Sequence, residues 1–469
     1  MNLKQIGSFS VGPIVGAALS FFTIPIITWF FSQDDVGRFS MFQLIINLGM
    51  IIVSLDMHQS YVREYYEVEK KEVLLKLAFI PGIVISIITF VLFQSLDVSL
   101  SYHFLGRDST VLDFCIFLGV LFLFLINLFS HVLRMQGRGW AFSATQIIPK
   151  LGYLVFLLLF VYFFRERNYE HLIVTNVMVL SISSLCFILI LWGEIKKSWS
   201  ESFNTIVFKK MLKFSFPLLT GSLAYWALIS VDRIILSYFR GFKEVGIYVV
   251  ATTLAAGIGV FVTVFSNLWH PLVYRWVKEG IDPKKILLVN ELMVLAIGFL
   301  WTIVGVFSWI LVYFFPQQYN GIQYIIVACV AMPLLYMLSE TTNVGIGISR
   351  KTSYAMLASV LAFLANVVVN YIAVPLFGVK GTALASMTSF VIFLILRTEF
   401  SSFLWKSLPR FKLYIFLLIY IILTLLHVFE IFKNNLMASI AWLFGFLMLC
   451  CFYSRRVFWI FERIKLGSF

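Results

Sequence analysis

Lys150, Asp232 and Arg233 stand inside long apolar stretches of the sequence, and Gln146 precedes Lys150 by four residues. Side chains four apart share a helix face. A charge at the centre of a bilayer costs about 2.5–3.5 kcal/mol on insertion scales, so it ordinarily faces water, a partner or a ligand. Lys150 falls about 8 residues into its stretch, about 12 Å from the end at 1.5 Å per residue. Pro149, just before it, is a residue that bends helices. Two readings follow: a cationic site for an anionic head group, or a lysine snorkelling back to the surface. Asp232 and Arg233 lie late in their stretch and point about 100° apart on a helix. Either one faces an interior cleft while the other meets a neighbouring helix, or they serve an ion pair with another span.

Arg63, Arg134 and Arg275 each close an apolar stretch. They are interfacial anchors or, taken together, a basic vestibule. Asn127 with His131, Asn267 with His270, and Asn366 with Asn370 are polar groups within spans. Interhelical hydrogen bonding is the plainer account of these. Acids inside the stretches are few: Asp232 sits beside Arg233, and Asp56, Glu291 and Glu340 lie near stretch ends. Basic groups with so few acids favour an anionic, phosphate-bearing cargo over a cation.

Enzyme chemistry has little to stand on. The glycines never form GxxxxGK[ST], and GxSxG, HExxH and paired-cysteine zinc patterns do not occur. Cys115, Cys186, Cys329, Cys450 and Cys451 all fall in apolar runs and read as small core residues. No cofactor and no metal are expected.

The elements that must carry these groups are membrane helices. Only 13% of the 469 residues are charged and 61% are hydrophobic, against roughly 25% charged in ordinary globular domains. A soluble fold of this size has too few charges to cover its surface. That excludes a soluble enzyme and a nucleic-acid binder, despite the net charge of +13. Fourteen apolar runs are expected at 9–31, 39–55, 77–96, 112–131, 142–164, 171–193, 214–239, 246–268, 288–315, 321–341, 354–377, 380–398, 413–430 and 436–454. They are continuous rather than alternating, so they read as helices and not barrel strands. The first run is too long for the core of a cleaved signal and reads as a span.

The N-terminus, the even-numbered loops and the C-terminus hold 26 of the 36 Lys and Arg residues, and the odd-numbered loops hold 8. This asymmetry places both termini in the cytoplasm. The longest loop, 194–213, is basic and follows six spans. It divides the chain into an N-terminal six-helix lobe (1–200), a C-terminal six-helix lobe (201–405) and an added helix pair with a cytoplasmic tail (406–469). The two lobes share weak internal likeness. Phe9-Ser10 with Pro13 matches Phe214-Ser215 with Pro217, and Val36-Gly37-Arg38-Phe39 matches Val245-Gly246-Ile247-Tyr248. Six spans per half make this a parallel repeat, with a cleft expected between two pseudo-symmetric bundles.

The run Phe-Ser-Met-Phe-Gln at 39–43, the segment Leu-Asp-Met-His-Gln-Ser-Tyr-Val-Arg-Glu-Tyr-Tyr at 55–66, and Asp232-Arg233-Ile234-Ile235-Leu236 followed by Glu244-Val245-Gly246-Ile247-Tyr248 resemble polysaccharide-unit flippases of the multidrug/oligosaccharidyl-lipid/polysaccharide exporter superfamily. The likeness covers about residues 1–405 in organisation, and the last two spans are similar to the extra helices of lipid-linked members. The resemblance implies two six-helix lobes around a cationic lumen. It also implies movement of an undecaprenyl-diphosphate-linked oligosaccharide across a bacterial inner membrane, for O-antigen or capsule synthesis. Lys150, Arg233 and Asp232 would then contact the substrate, with Arg63, Arg134 and Arg275 at the cytoplasmic mouth. Expected partners are the lipid-linked substrate, membrane lipids, and a polysaccharide polymerase with its chain-length proteins. The flippase of the peptidoglycan precursor is close in fold, but the first span here lacks an early basic cluster. Two alternatives stay open: a multidrug or cation antiporter of the same superfamily, and a membrane-embedded polymerase or acyltransferase.

Overall fold

The computed structural model describes residues 3–458 except 281, 283, 408, 455 and 457; the side chains of 3–6, 260, 263, 264, 267, 268, 270 and 271 also lie outside the description. Every regular element among the described residues is helical. Buried in lipid, a backbone must satisfy its own hydrogen bonds, and long apolar runs do so as helices.

The chain forms two compact units, Met1–Ser230 and Val231–Phe469. Unit 1 contains α1 (Leu3–Phe30), α2 (Gln33–Ser54), α3 (Met57–Glu64), α4 (Lys71–Ser95), α5 (Leu100–Leu105), α6 (Thr110–Met135), α7 (Gly139–Phe163), α8 (Tyr169–Ile190), α9 (Trp192–Ser200) and most of α10 (Thr205–Arg240). Unit 2 continues with α11 (Phe242–Ala256), α12 (Gly259–Lys278), α13 (Lys284–Phe307), α14 (Leu311–Phe314), α15 (Ile322–Cys329), α16 (Ala331–Thr342), α17 (Val344–Ile348), α18 (Ser353–Phe377), α19 (Val379–Leu404), α20 (Phe411–Val428) and α21 (Asn435–Phe452).

Among the described residues, 13 helical stretches are long and apolar enough to cross a bilayer. The protein is a multi-pass membrane protein. The remaining expected span, 246–268, is divided instead: α11 ends at Ala256 and α12 starts at Gly259. The second expected span also changes course. α2 stops at Ser54, Leu55 and Asp56 adopt left-handed backbone angles (φ 46° and 51°), and α3 then resumes. The expected loop at 194–213 is largely helical, because α9 and the first turns of α10 occupy it. Polar and basic residues in those turns do not break a helix, since Lys is a good helix former. α10 therefore runs for 36 residues.

Helix starts follow their capping residues. Ser32 and Asp35 form a reciprocal capping box at α2, and Asn168 and Asn434 cap α8 and α21. The two halves reuse one device. Asp35 accepts a hydrogen bond from the backbone N–H of Tyr169, the first residue of α8, at 2.8 Å. Glu244 accepts one from Val379, the first residue of α19, at 2.6 Å. Each acid directly precedes the Val-Gly pair of the internal repeat, and each places a negative charge where a helix N-terminus favours it.

Within unit 1, α1 lies along α7, and α6 packs on α2, α4 and α8. The α1–α7 approach depends on small residues. The Ser143 hydroxyl accepts from the Gly12 N–H at 2.9 Å and donates to the Ser8 carbonyl, inserting itself into the ladder of α1. A Cβ at Gly12 would come within 2.6 Å of the Ser143 Cα. Within unit 2, α18 packs on α19, and α13 on α20 and α21. Tyr420 anchors that last group: its hydroxyl donates to the Gly298 carbonyl at 2.9 Å and meets Thr302 at 2.9 Å. Trp442 is fully buried against α13 at Gly305, where a Cβ would overlap the indole.

Candidate functional site

The six residues singled out from the sequence divide between the two units. In unit 1, Lys150 is exposed on α7, and its ammonium donates to the Gly16 carbonyl of α1 at 3.0 Å. It thus caps the α1–α7 seam with part of its hydrogen-bonding capacity left over, since an ammonium carries three donors. Arg63 closes α3 and pairs with Glu67 at 2.9 Å. Arg134 is exposed in the last turn of α6. Among the described residues no hydrogen bond or ion pair joins Lys150, Arg63 and Arg134 to one another.

Beside Arg63 the acids are engaged. Lys210 of α10 donates to Glu64 at 2.6 Å and to Glu67 at 3.0 Å, so it ties α3 to α10. Glu64 is 3% exposed. The helix break above it holds a second polar group. Asp56, also buried, accepts from Ser222 of α10 at 2.6 Å. The His58 ring lies 4.5 Å from that of His131, whose Nδ1 is 2.9 Å from the Asn127 carbonyl.

In unit 2, Asp232 is the centre of a buried polar cluster. Its carboxylate accepts from Ser386 at 2.6 Å, Tyr248 at 2.8 Å and Asn370 at 2.7 Å. These partners come from α19, α11 and α18. Tyr248 and Ser386 also meet at 2.7 Å, and Asn366 donates to Ser389 at 3.2 Å. The Asn370 carbonyl oxygen is buried with no hydrogen-bond partner among the described residues. Three neutral donors thus hydrogen-bond one buried carboxylate. Arg233 is half-buried beside it, with Tyr248 and Asp232 in its electrostatic neighbourhood. Arg275 is exposed in the last turn of α12 and pairs with Glu279 at 2.7 Å. The side chains of Asn267 and His270 lie outside the description.

The hydrogen-bonding account of Asn366 and Asn370 matches these contacts. Tyr248 and Ser386 were not singled out from sequence, although Tyr248 ends the repeated Val-Gly-x-aromatic. Its counterpart Phe39 lacks the hydroxyl and stacks on Tyr153 at 5.6 Å instead. Glu340, near the end of α16 as expected, is buried. It forms a pair with Arg397 at 2.8 Å in which the side chains are 6% and 12% exposed. Arg397, at the edge of the expected run 380–398, was not singled out; α19 carries it in its interior, continuing to Leu404.

Helices of this order and number recur in solved membrane proteins. The lipid II flippase MurJ in an inward closed conformation is similar over 96% of this chain and 99% of its own, with a TM-score of 0.67 at 16% identity. A multidrug resistance MATE family transporter of the MOP superfamily, in an outward-facing conformation, matches 85% of this chain and 95% of its own, with a TM-score of 0.56 at 13% identity. An uncharacterized membrane protein of Methanocaldococcus jannaschii is 21% identical over 401 residues, 78% of this chain and 77% of that protein. These solved structures are flippases and transporters, not enzymes. The chain belongs to the polysaccharide biosynthesis protein family, whose profile matches residues 2–275.

Proposed function

We propose that this protein flips an undecaprenyl-diphosphate-linked oligosaccharide from the cytoplasmic to the outer leaflet of a bacterial inner membrane, for O-antigen or capsule synthesis. The observation that carries the reading is the polysaccharide-family match over residues 2–275 in a chain whose fold is shared with a lipid flippase over 96% of its length. Alternating access would expose a cationic central cavity to each side in turn, with both termini in the cytoplasm. Lys150, with unused donors, and Arg233 would meet the diphosphate or acidic sugars. Arg63, Arg134 and Arg275 would receive the cargo on the cytoplasmic side. Guanidinium groups suit a diphosphate because they bind its oxygens bidentately. Coupling to a proton or sodium gradient requires a membrane-embedded group able to meet the ion. Asp232, buried within a span, would be such a group. The polymerase and chain-length proteins would act on the product at the outer face.

The experiment is deletion of the gene followed by complementation. Loss of surface polysaccharide, with accumulation of lipid-linked units on the inner leaflet and unchanged drug tolerance, is the expected result. Normal polysaccharide together with drug hypersensitivity would instead identify an antiporter.

A further inference from the structure

A cavity of about 270 Å³ lies in unit 2 where α20 turns into α21 beside the start of α15. Its walls include Trp309, Gln323, Tyr324, Glu430, Phe432 and Asn435. The floor is fixed by His427. Its Nδ1 accepts from the Trp442 indole N–H at 3.2 Å. The ring proton therefore sits on Nε2, which is 3.2 Å from both the Gln323 carbonyl and the Ser308 hydroxyl. One wall is fixed by Lys380, which pairs with Glu430 at 2.6 Å and lies 5.7 Å over the Tyr324 ring. The Asn434 side chain is used up as the cap of α21, accepting from Met437 at 2.8 Å. The cavity is thus shaped before any ligand arrives.

What remains is chemically specific. The Trp309 indole N–H, the Gln323 and Asn435 amides and the Lys433 ammonium make no hydrogen bond among the described residues. These groups supply donors, and the two amides and Glu430 supply acceptors. The rings of Trp309, Tyr324 and Phe432 stand among them. An apolar ligand would strand the amides and the carboxylate away from water. A simple anion would meet Glu430 in the wall, with Lys433 as its main attraction. A sugar ring matches both features: its C–H face lies on an aromatic surface, while its edge hydroxyls both donate and accept. A cavity of about 270 Å³ has room for one sugar ring. The charge asymmetry of the loops assigns this end of unit 2 to the outer face.

We propose that this cavity is a saccharide subsite, taking one pyranose residue of the glycan after it reaches the outer face. The idea rests on the transport reading above for the source of the sugar, and on the lining alone for the binding.

The test uses the full-length protein in detergent and saturation-transfer NMR. The probes are free glucose, galactose, rhamnose, N-acetylglucosamine and glucuronic acid. At least one sugar should receive saturation from the native protein. Asn435→Trp, which fills the cavity from an exposed position, should abolish the transfer. Gln323→Ala, which removes one amide, should weaken binding about three- to tenfold. Trp309→Ala should also abolish transfer, and the first two variants keep the test intact if its fold fails. No transfer from any of the five sugars overturns the proposal, as does transfer unchanged in Asn435→Trp and Gln323→Ala, or displacement of the sugar by glycerol phosphate at equal concentration. Binding is read on purified protein, so it is separable from transport. Normal surface polysaccharide after deletion counts against the transport reading only, and absent saturation transfer counts against the cavity only.

Discussion

The Tyr248 hydroxyl donates to the Asp232 carboxylate at 2.8 Å while meeting Ser386 at 2.7 Å, so one phenol links α10, α11 and α19 through a single buried acid. Removing it leaves the acid under-bonded, and a bond to a charged acceptor contributes about 1.5–3 kcal/mol. Tyr248→Phe should lower the unfolding temperature of the purified protein. Asp232→Ala should lower it further, because it strands Tyr248, Ser386 and Asn370 together. Thermal unfolding in detergent reads both, and an unchanged midpoint in Asp232→Ala would remove the cluster from the stability of unit 2.

The Glu340–Arg397 pair makes a different prediction. Breaking a buried pair from one side costs about 3–5 kcal/mol, whereas replacing both members with apolar groups is often neutral. Arg397→Met should therefore be poorly stable, and Glu340→Leu with Arg397→Met should recover most of the loss. A double-mutant cycle on unfolding midpoints checks this. Additive losses would mean that the two side chains act independently.

Gly305 and Trp442 set the docking of the last helix. A side chain at 305 overlaps the indole, and overpacking costs about 1–3 kcal/mol. Gly305→Val should release α21, seen as faster proteolysis near Asn434. Native-like resistance in that variant would show that the indole can move aside.

Glu67 lies outside the spans. The hydrogen bond from Lys210, and then the charge of Arg63, hold its carboxyl below the usual carboxylate range. A folded-state value below the unfolded one means stabilisation that is full above the unfolded value and lost as pH falls through the folded value. The native protein should lose stability on acidification below about pH 4.5, the ordinary glutamate value. Lys210→Met should flatten that limb. The comparison is thermal unfolding of both proteins from about pH 3 to 6, and coincident acid limbs would refute the assignment.

Lys150 is the plainest functional test. Lys150→Gln keeps a donor for the Gly16 carbonyl and removes the charge. If the ammonium meets a phosphate, surface polysaccharide should fall at least about tenfold, the equivalent of one charge-assisted hydrogen bond. Lys150→Arg should retain most of it. Full polysaccharide in Lys150→Gln at normal membrane levels would reduce Lys150 to a clasp on α1.

Much of the architecture was readable because lipid allows so few solutions. A run such as 354–377 has no alternative to a helix, and α18 occupies Ser353–Phe377. The reading strayed where composition and backbone part company. The polar segment 194–213 looked like a loop and is mostly α9 and α10, because charge ends a membrane span without ending a helix. The 246–268 run looked continuous and breaks after Ala256, which hydropathy does not register. Arg397 was passed over because, at the edge of its apolar run, a charge reads as a loop residue, although α19 continues past it.

From sequence alone came the membrane, the helices and the charged positions within them, because hydrophobicity and loop charge are local properties that survive without coordinates. Tertiary structure decided the partners. Asp232 turned out to be held by Tyr248, Asn370 and Ser386, and Glu340 by Arg397, since a buried polar group is satisfied by whatever a neighbouring helix presents. That choice depends on the rotation and depth of helices as much as 154 residues apart along the chain, which no spacing within one segment encodes.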